Sequence, residues 1–151
     1  MKKTFAAVAA VAALMSTVAP VQARDNKLTF PIAGAMSENE AKGRLGDDVQ
    51  FFFGDQKPAG KVQETLGSDK TSQKTNSVGK SPQTACNWAF LSAMLQLKKR
   101  ANALGADAIV NIQSNYNNQP LSSATDYECH DGAIMTGVAL KADFVRLQKK
   151  K

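Results

Sequence analysis

The chain has 151 residues, of which 43% are hydrophobic, 21% charged and 7% aromatic. That is the composition of one globular domain, too apolar for a wholly disordered chain and too short for two ordinary domains. Lys and Arg total 19 against 13 Asp and Glu, a net charge of +6, and an excess that small does not by itself name a nucleic-acid or membrane partner.

The first 23 residues read as a secretory address. Met1-Lys2-Lys3 is a short positive start, Phe5 to Val18 is an uncharged run broken only by Ser16 and Thr17, and Pro20 precedes Val21-Gln22-Ala23. These are the basic, apolar and small-residue parts of a signal peptide, with cleavage expected between Ala23 and Arg24. The run is too short to anchor in a hydrocarbon layer of roughly 30 Å, which takes about 20 apolar residues. No Cys lies near the cut to carry a lipid, and no later stretch is apolar enough to cross a membrane. Losing Lys2 and Lys3 lowers the net charge by two and leaves an exported domain over residues 24–148, followed by a basic tail at 149–151.

Leu28 to Ala33, interrupted by Pro31, suits an edge strand or an extended arm. Ser37 to Leu45 has the signals of a brief helix: Ser37 as N-cap, Glu38 and Glu40 in the first turn, Gly46 as the stop. Val49 to Phe53 reads as a strand with Val49, Phe51 and Phe53 on one face, closed by Gly54-Asp55. Lys61 to Leu66 alternates, placing Val62, Glu64 and Leu66 on one side. Residues 67–82 are dominated by Ser, Thr, Asn, Gln and Lys and read as a mobile polar surface loop.

The strongest element follows. Ser81 can cap a helix with Pro82 in its first position. Cys86, Phe90, Met94, Leu97, Ala101 and Leu104 recur every three or four residues, one apolar stripe that Trp88 and Leu91 widen. Lys98, Lys99 and Arg100 fall in the closing turns, where cations suit the dipole, and Gly105 can end the helix in a left-handed cap. The predicted helix is therefore Pro82–Leu104, packed on a sheet. Ala106 to Ser114 reads as a strand and Asn115 to Ser123 as a polar turn. Thr125–His130 and Ala133–Leu140 are further strands separated at Asp131-Gly132, with Phe144, Val145 and Leu147 extending the last or crossing to a neighbour. One long helix among five or six strands is an α+β domain.

Cys86 and Cys129 are the only cysteines, and both lie in the exported part. An even count in an oxidising compartment favours a disulfide. It would close a loop of about 44 residues and stabilise by roughly 4 kcal/mol in the chain-entropy model. Zinc would need a full tetrahedral set at tight spacing, and a redox pair usually reads C-x-x-C. Two distant thiols beside the single imidazole, His130, suit neither as well, and both stand as alternatives.

Other chemistry is thin. Gly79-Lys80-Ser81 ahead of a helix imitates the end of a phosphate-binding loop, but Lys74 stands where the first Gly belongs, and Thr71 to Ser77 is polar where a buried strand should lead in. His130 has no carboxylate placed by sequence for acid–base or nucleophilic work. Asp126, Glu128 and Asp131 cluster around Cys129, and on a strand Asp126 and Glu128 share a face that would hold a cation only loosely. Lys98, Lys99, Arg100, Lys141, Arg146 and the Lys tail are dispersed, without the aromatic interleaving that binds single-stranded nucleic acid. They allow a weak attraction to anionic lipid headgroups.

Ala101-Asn102-Ala103-Leu104-Gly105-Ala106-Asp107-Ala108-Ile109-Val110 resembles a helix-to-strand junction of a family of small α+β domains. One branch is the cytoplasmic YbjQ-like family labelled heavy-metal-binding; another is the sensor domain of the outer-membrane lipoprotein that feeds the Rcs envelope-stress phosphorelay. Ala133, Gly137, Ala139 and Leu140 match that sensor's last strand, and Cys86 with Cys129 corresponds to one of its disulfides. Its second bridge is absent, with Met135 at one of those cysteine positions. The lipid-bearing Cys and Pro-rich linker are missing too, so the resemblance implies the fold and the bridge rather than the signalling role. The chain also resembles a set of secreted Gram-negative proteins through Phe51-Phe52-Phe53-Gly54, Cys86 with Ala89-Phe90-Leu91-Ser92, and Tyr127-Glu128-Cys129 with Gly137-Val138-Ala139-Leu140. Some of these are labelled excinuclease ATPase subunits, a label at odds with a chain lacking a nucleotide loop and zinc cysteines.

The expectation is thus a periplasmic, disulfide-braced α+β domain with one long amphipathic helix on a small sheet. It would work by binding, without catalytic residues or cofactor, in envelope sensing or assembly. The expected partner is another envelope protein, not nucleic acid. A metal-binding or metal-responsive role and a thiol-redox role are the alternatives.

Overall fold

A computed structural model describes residues 24–149. The secretory segment up to Ala23 and the last two lysines of the tail lie outside the described residues. Strand β1 (Asp25–Pro31) leads into two short helices, α1 (Ile32–Ser37) and α2 (Asn39–Leu45). Strands β2 (Gln50–Phe53) and β3 (Val62–Asn76) precede the long helix α3 (Pro82–Leu104), and β4 (Ala108–Ser114), β5 (Asp126–Gly132) and β6 (Met135–Leu147) complete the chain. Six strands form one sheet on a mixed α+β plan.

The spine is β6. Along its full length it pairs antiparallel with β3, from Val62↔Leu147 to Asn76↔Met135. Its other side is shared: β4 takes the C-terminal half and β5 the N-terminal end. Beyond them β1 runs antiparallel to β5, and β2 runs parallel to β4. The sheet therefore forks, with β3 as one long edge and β1 and β2 as two short ones.

Helix α3 covers one face. Ser81 Oγ accepts from the Thr84 N–H at 3.1 Å, Pro82 takes the first turn, and Gly105 closes the helix at φ 68°, so both predicted ends stand. Cys86, Phe90, Met94, Leu97 and Ala101 are buried against Val138, Leu140, Ala142 and Phe144 of β6. Phe90 sits between Phe53 and Tyr127, with ring centroids 6.1 and 4.3 Å away. No helix among the described residues is long and apolar enough to cross a membrane.

Several expectations need correction. Residues 67–82 are not a loop: β3 runs unbroken to Asn76, and only the turn to Ser81 remains. Its composition hides the alternation, because Thr71, Gln73 and Thr75 are half-buried while Ser72, Lys74 and Asn76 are exposed. Val62, Glu64 and Leu66 do not keep a regular alternation, because bulges at Val62/Glu64 and Thr65/Gly67 shift the register. The edge strand stops at Pro31, and Ile32 and Ala33 turn into α1. Ser37 is not an N-cap: its hydroxyl donates back to the Gly34 carbonyl, closing α1, and Glu38 stands at the break before α2. Gly46 does end that helix, at φ 58°. Lys98, Lys99 and Arg100 lie one turn short of the end of α3, whose last turn carries no cation. The last strand starts at Met135 and runs straight through Phe144, Val145 and Leu147.

Candidate functional site

Strand β5 separates the inside of the molecule from its outer face residue by residue. Tyr127 and Cys129 point toward α3 and are buried. Cys129 is bonded to Cys86 (S–S 2.03 Å, Cα–Cα 5.9 Å), and neither residue has any exposed surface. Beside the bridge, the Tyr127 hydroxyl donates to Asn87 Oδ1 at 2.6 Å, and Asn87 Nδ2 donates to Glu38 Oε1 at 2.6 Å. Burial pushes the Tyr127 phenol well above its ordinary range. The inner face thus locks helix α3 to the sheet by a covalent bond and a buried relay.

On the outer face, Glu128 and His130 meet residues that the sequence did not bring together. His130 Nδ1 lies 2.8 Å from Asp25 Oδ1 of β1, and its Nε2 lies 2.9 Å from Glu128 Oε1. Lys27 pairs with Glu128 Oε2 at 2.6 Å, and the Tyr116 hydroxyl donates to Asp25 Oδ2 at 3.0 Å. Tyr116 also stacks on the imidazole, with centroids 3.3 Å apart and planes 9° from parallel. Desolvation pushes both carboxyls up. For Asp25 the hydrogen bonds from His130 and Tyr116 outweigh it, and for Glu128 those from Lys27 and His130 do, so both are held below the usual carboxylate range. The Tyr116 phenol is raised by its bond to Asp25.

The acidic cluster expected around Cys129 does not form. Asp126 takes the Thr125 hydroxyl, while Asp131 turns to Thr136 and Arg24. Among the described residues, no three His, Cys, Asp or Glu side chains are disposed to hold a metal ion.

Tyr116 belongs to a tight turn, Tyr116–Asn118, that overhangs the rest of this face. Between that turn and β3 runs a groove floored by Ala139, Lys141 and Asp143 of β6, with Ser68, Lys70, Ser72 and Lys74 along its far wall. The part around Lys141 has a volume of about 510 Å³. Beyond Asp143 it continues past Asn111 to Lys57 and Val62. Asp143 accepts from Ser68 and from Asn111 Nδ2, and Lys70 Nζ donates to Asn118 Oδ1 at 2.8 Å. Asn111, Asn117 and Asn118 all carry positive φ, at 54°, 50° and 58°. Asn tolerates that region better than most residues, and all three line this groove.

Three of the other singled-out cations, Lys98, Arg100 and Arg146, have structural partners. Lys98 donates to the Leu45 carbonyl at 2.6 Å and, by its bond to Asp48, holds that carboxyl below its ordinary range. Arg100 pairs with Asp69, and Arg146 with Glu64. In the Gly79-Lys80-Ser81 turn, Lys80 Nζ donates to the Asn76 carbonyl, and Ser81 is used as the helix cap.

Asp25, Lys27, Tyr116, Lys70 and Asn118 were not legible as site residues, because strand register and one overhanging turn bring them together. No family model, curated protein or solved structure matches this chain.

Proposed function

We propose that the chain is an exported, non-enzymatic binding domain of the periplasm that presents its outer sheet face to another envelope protein, in envelope sensing or assembly. The observation that carries this reading is the continuous polar groove opposite α3, walled by β3 and the Tyr116–Asn118 turn. A face fixed from behind by a covalent bond and a packed helix is preorganised, and preorganisation lowers the ordering cost of binding. The buried disulfide fits an oxidising compartment. The likeness of Cys86, Cys129, Ala133, Gly137, Ala139 and Leu140 to an envelope-stress sensor domain points the same way.

The alternatives have less support. Both ring nitrogens of His130 already face carboxylate oxygens, which leaves no lone pair directed at a metal. Cys86 and Cys129 are fully covered, so an external thiolate has no path to the bridge for redox exchange.

In-cell photocrosslinking tests the reading. A photoreactive residue at Ser72, in the groove wall, should give a discrete crosslinked species with an envelope protein. The same residue at Gln83, on the exposed first turn of α3, should not. Equal capture from both positions, or capture from Gln83 alone, would contradict the assignment of the face.

A further inference from the structure

Strand register sets two cations side by side in the groove. Lys70 of β3 is the direct antiparallel partner of Lys141 of β6, so both side chains leave the same face with Cβ atoms about 4.5–5.5 Å apart. Like charges at directly opposed positions destabilise a sheet. One pair along, the ladder has a compatible arrangement: Ser68 faces Asp143 and donates to it. Among the described residues neither ammonium forms an ion pair. Of the two carboxylates nearby, Asp69 pairs with Arg100, while Asp143 lines the same groove, keeps its charge and is held away from the ammonium groups by hydrogen bonds from Ser68 and Asn111. Lys74 extends the positive strip along the same wall.

The non-glycine residues with positive φ among the described residues are Asn111, Asn117 and Asn118, and Asn117 and Asn118 form the turn that faces the two lysines across the groove. Asn118 uses its carbonyl oxygen on Lys70, a bond that leaves its amide N–H groups uncommitted.

We infer that this groove binds an oxyanion, by chemistry a phosphate ester, seated between the Lys70 and Lys141 ammonium groups with the Asn118 amide as a neutral donor. The inference rests on the binding-face reading above and names a ligand class for it. A phosphate oxygen accepts charge-assisted hydrogen bonds from Lys, and an anion at this point turns a repulsive pair into a chelate. Such a site is a locally unfavourable arrangement maintained for what it binds.

The test titrates the purified full chain with inorganic phosphate and with glycerol 3-phosphate at constant ionic strength, reading Tm and calorimetric affinity. Phosphate should raise Tm. Without phosphate, Lys141→Gln should leave Tm unchanged or raise it, because repulsion is relieved, and it should weaken phosphate binding by about tenfold. Lys42→Gln, on α2, should change neither reading. Flotation with phosphatidylglycerol vesicles against phosphatidylcholine vesicles identifies the source. Flotation that depends on Lys70 and Lys141 assigns a lipid headgroup, and a phosphate response without flotation assigns a soluble ester. Three results overturn the inference: a lower Tm for Lys141→Gln without phosphate, an unchanged phosphate response in the Lys70→Gln/Lys141→Gln double variant, or neither phosphate response nor lysine-dependent flotation. If phosphate fails while Ser72 still crosslinks, the binding face stands and the anion assignment alone falls.

Discussion

Tyr127 and Glu128 are adjacent in the chain and buried on opposite faces of β5. Tyr127 buries its ring against Phe90 and gives its hydroxyl to Asn87, while Glu128 turns outward to Lys27 and His130. The relay from Tyr127 through Asn87 to Glu38 ties β5, α3 and the α1–α2 junction together. Tyr127→Phe keeps the ring but leaves the Asn87 carbonyl oxygen without its donor, so chemical denaturation should show a loss of about 1–3 kcal/mol. A change below a few tenths of that range would mean the relay is not maintained in solution. Neither Asn87 nor Glu38 was legible as a member of this relay: Asn87 lies within a stripe of apolar residues and Glu38 had the position of a helix first turn. Spacing along the chain gives the face of a helix, but it does not give the partner across the core.

At the scale of elements, β1 is held by its ladder with β5, by Phe30 packed on the core and by two charged contacts. Five of its seven residues are exposed, and Asp25 and Lys27 attach it to His130 and Glu128. The folded carboxyls of Asp25 and Glu128 titrate below their ordinary range. Groups shifted in that direction stabilise the fold above the unfolded carboxylate range, and this contribution is lost as pH falls through the folded values. Tm should therefore drop below about pH 4, where unfolded carboxylates titrate. Glu128→Gln should cost about 2 kcal/mol at pH 7, with its Tm curve converging on the unmodified chain's in acid. Curves that stay parallel from neutral to acid pH would show that the cluster does not hold β1. Local signals were readable here as well: Ser81-Pro82 and Gly105 mark α3 because caps act within one turn. The part of β3 beyond Leu66 was unreadable for the opposite reason. Thr71, Gln73 and Thr75 are polar and only half-buried, and their alternation has meaning once β6 lies alongside.

At the scale of the molecule, one long helix, two short ones and one disulfide back one face of the sheet, and the groove between β3 and the Tyr116–Asn118 turn lies on the other. The bridge joins residues 43 apart in sequence, long enough for about 4 kcal/mol of stabilisation in the chain-entropy model. For a domain whose net stability is about 5–15 kcal/mol, that is a large share, and such a buried bridge is compatible with an oxidising compartment. Intact-mass analysis of chain taken directly from cells, alkylated in denaturant without reductant, tests the link between export, bridge and fold most directly. The account predicts a chain beginning at Arg24 with no alkyl adduct, gaining two adducts after reduction. A chain retaining its first 23 residues, or alkylated at Cys86 and Cys129 before reduction, would contradict it.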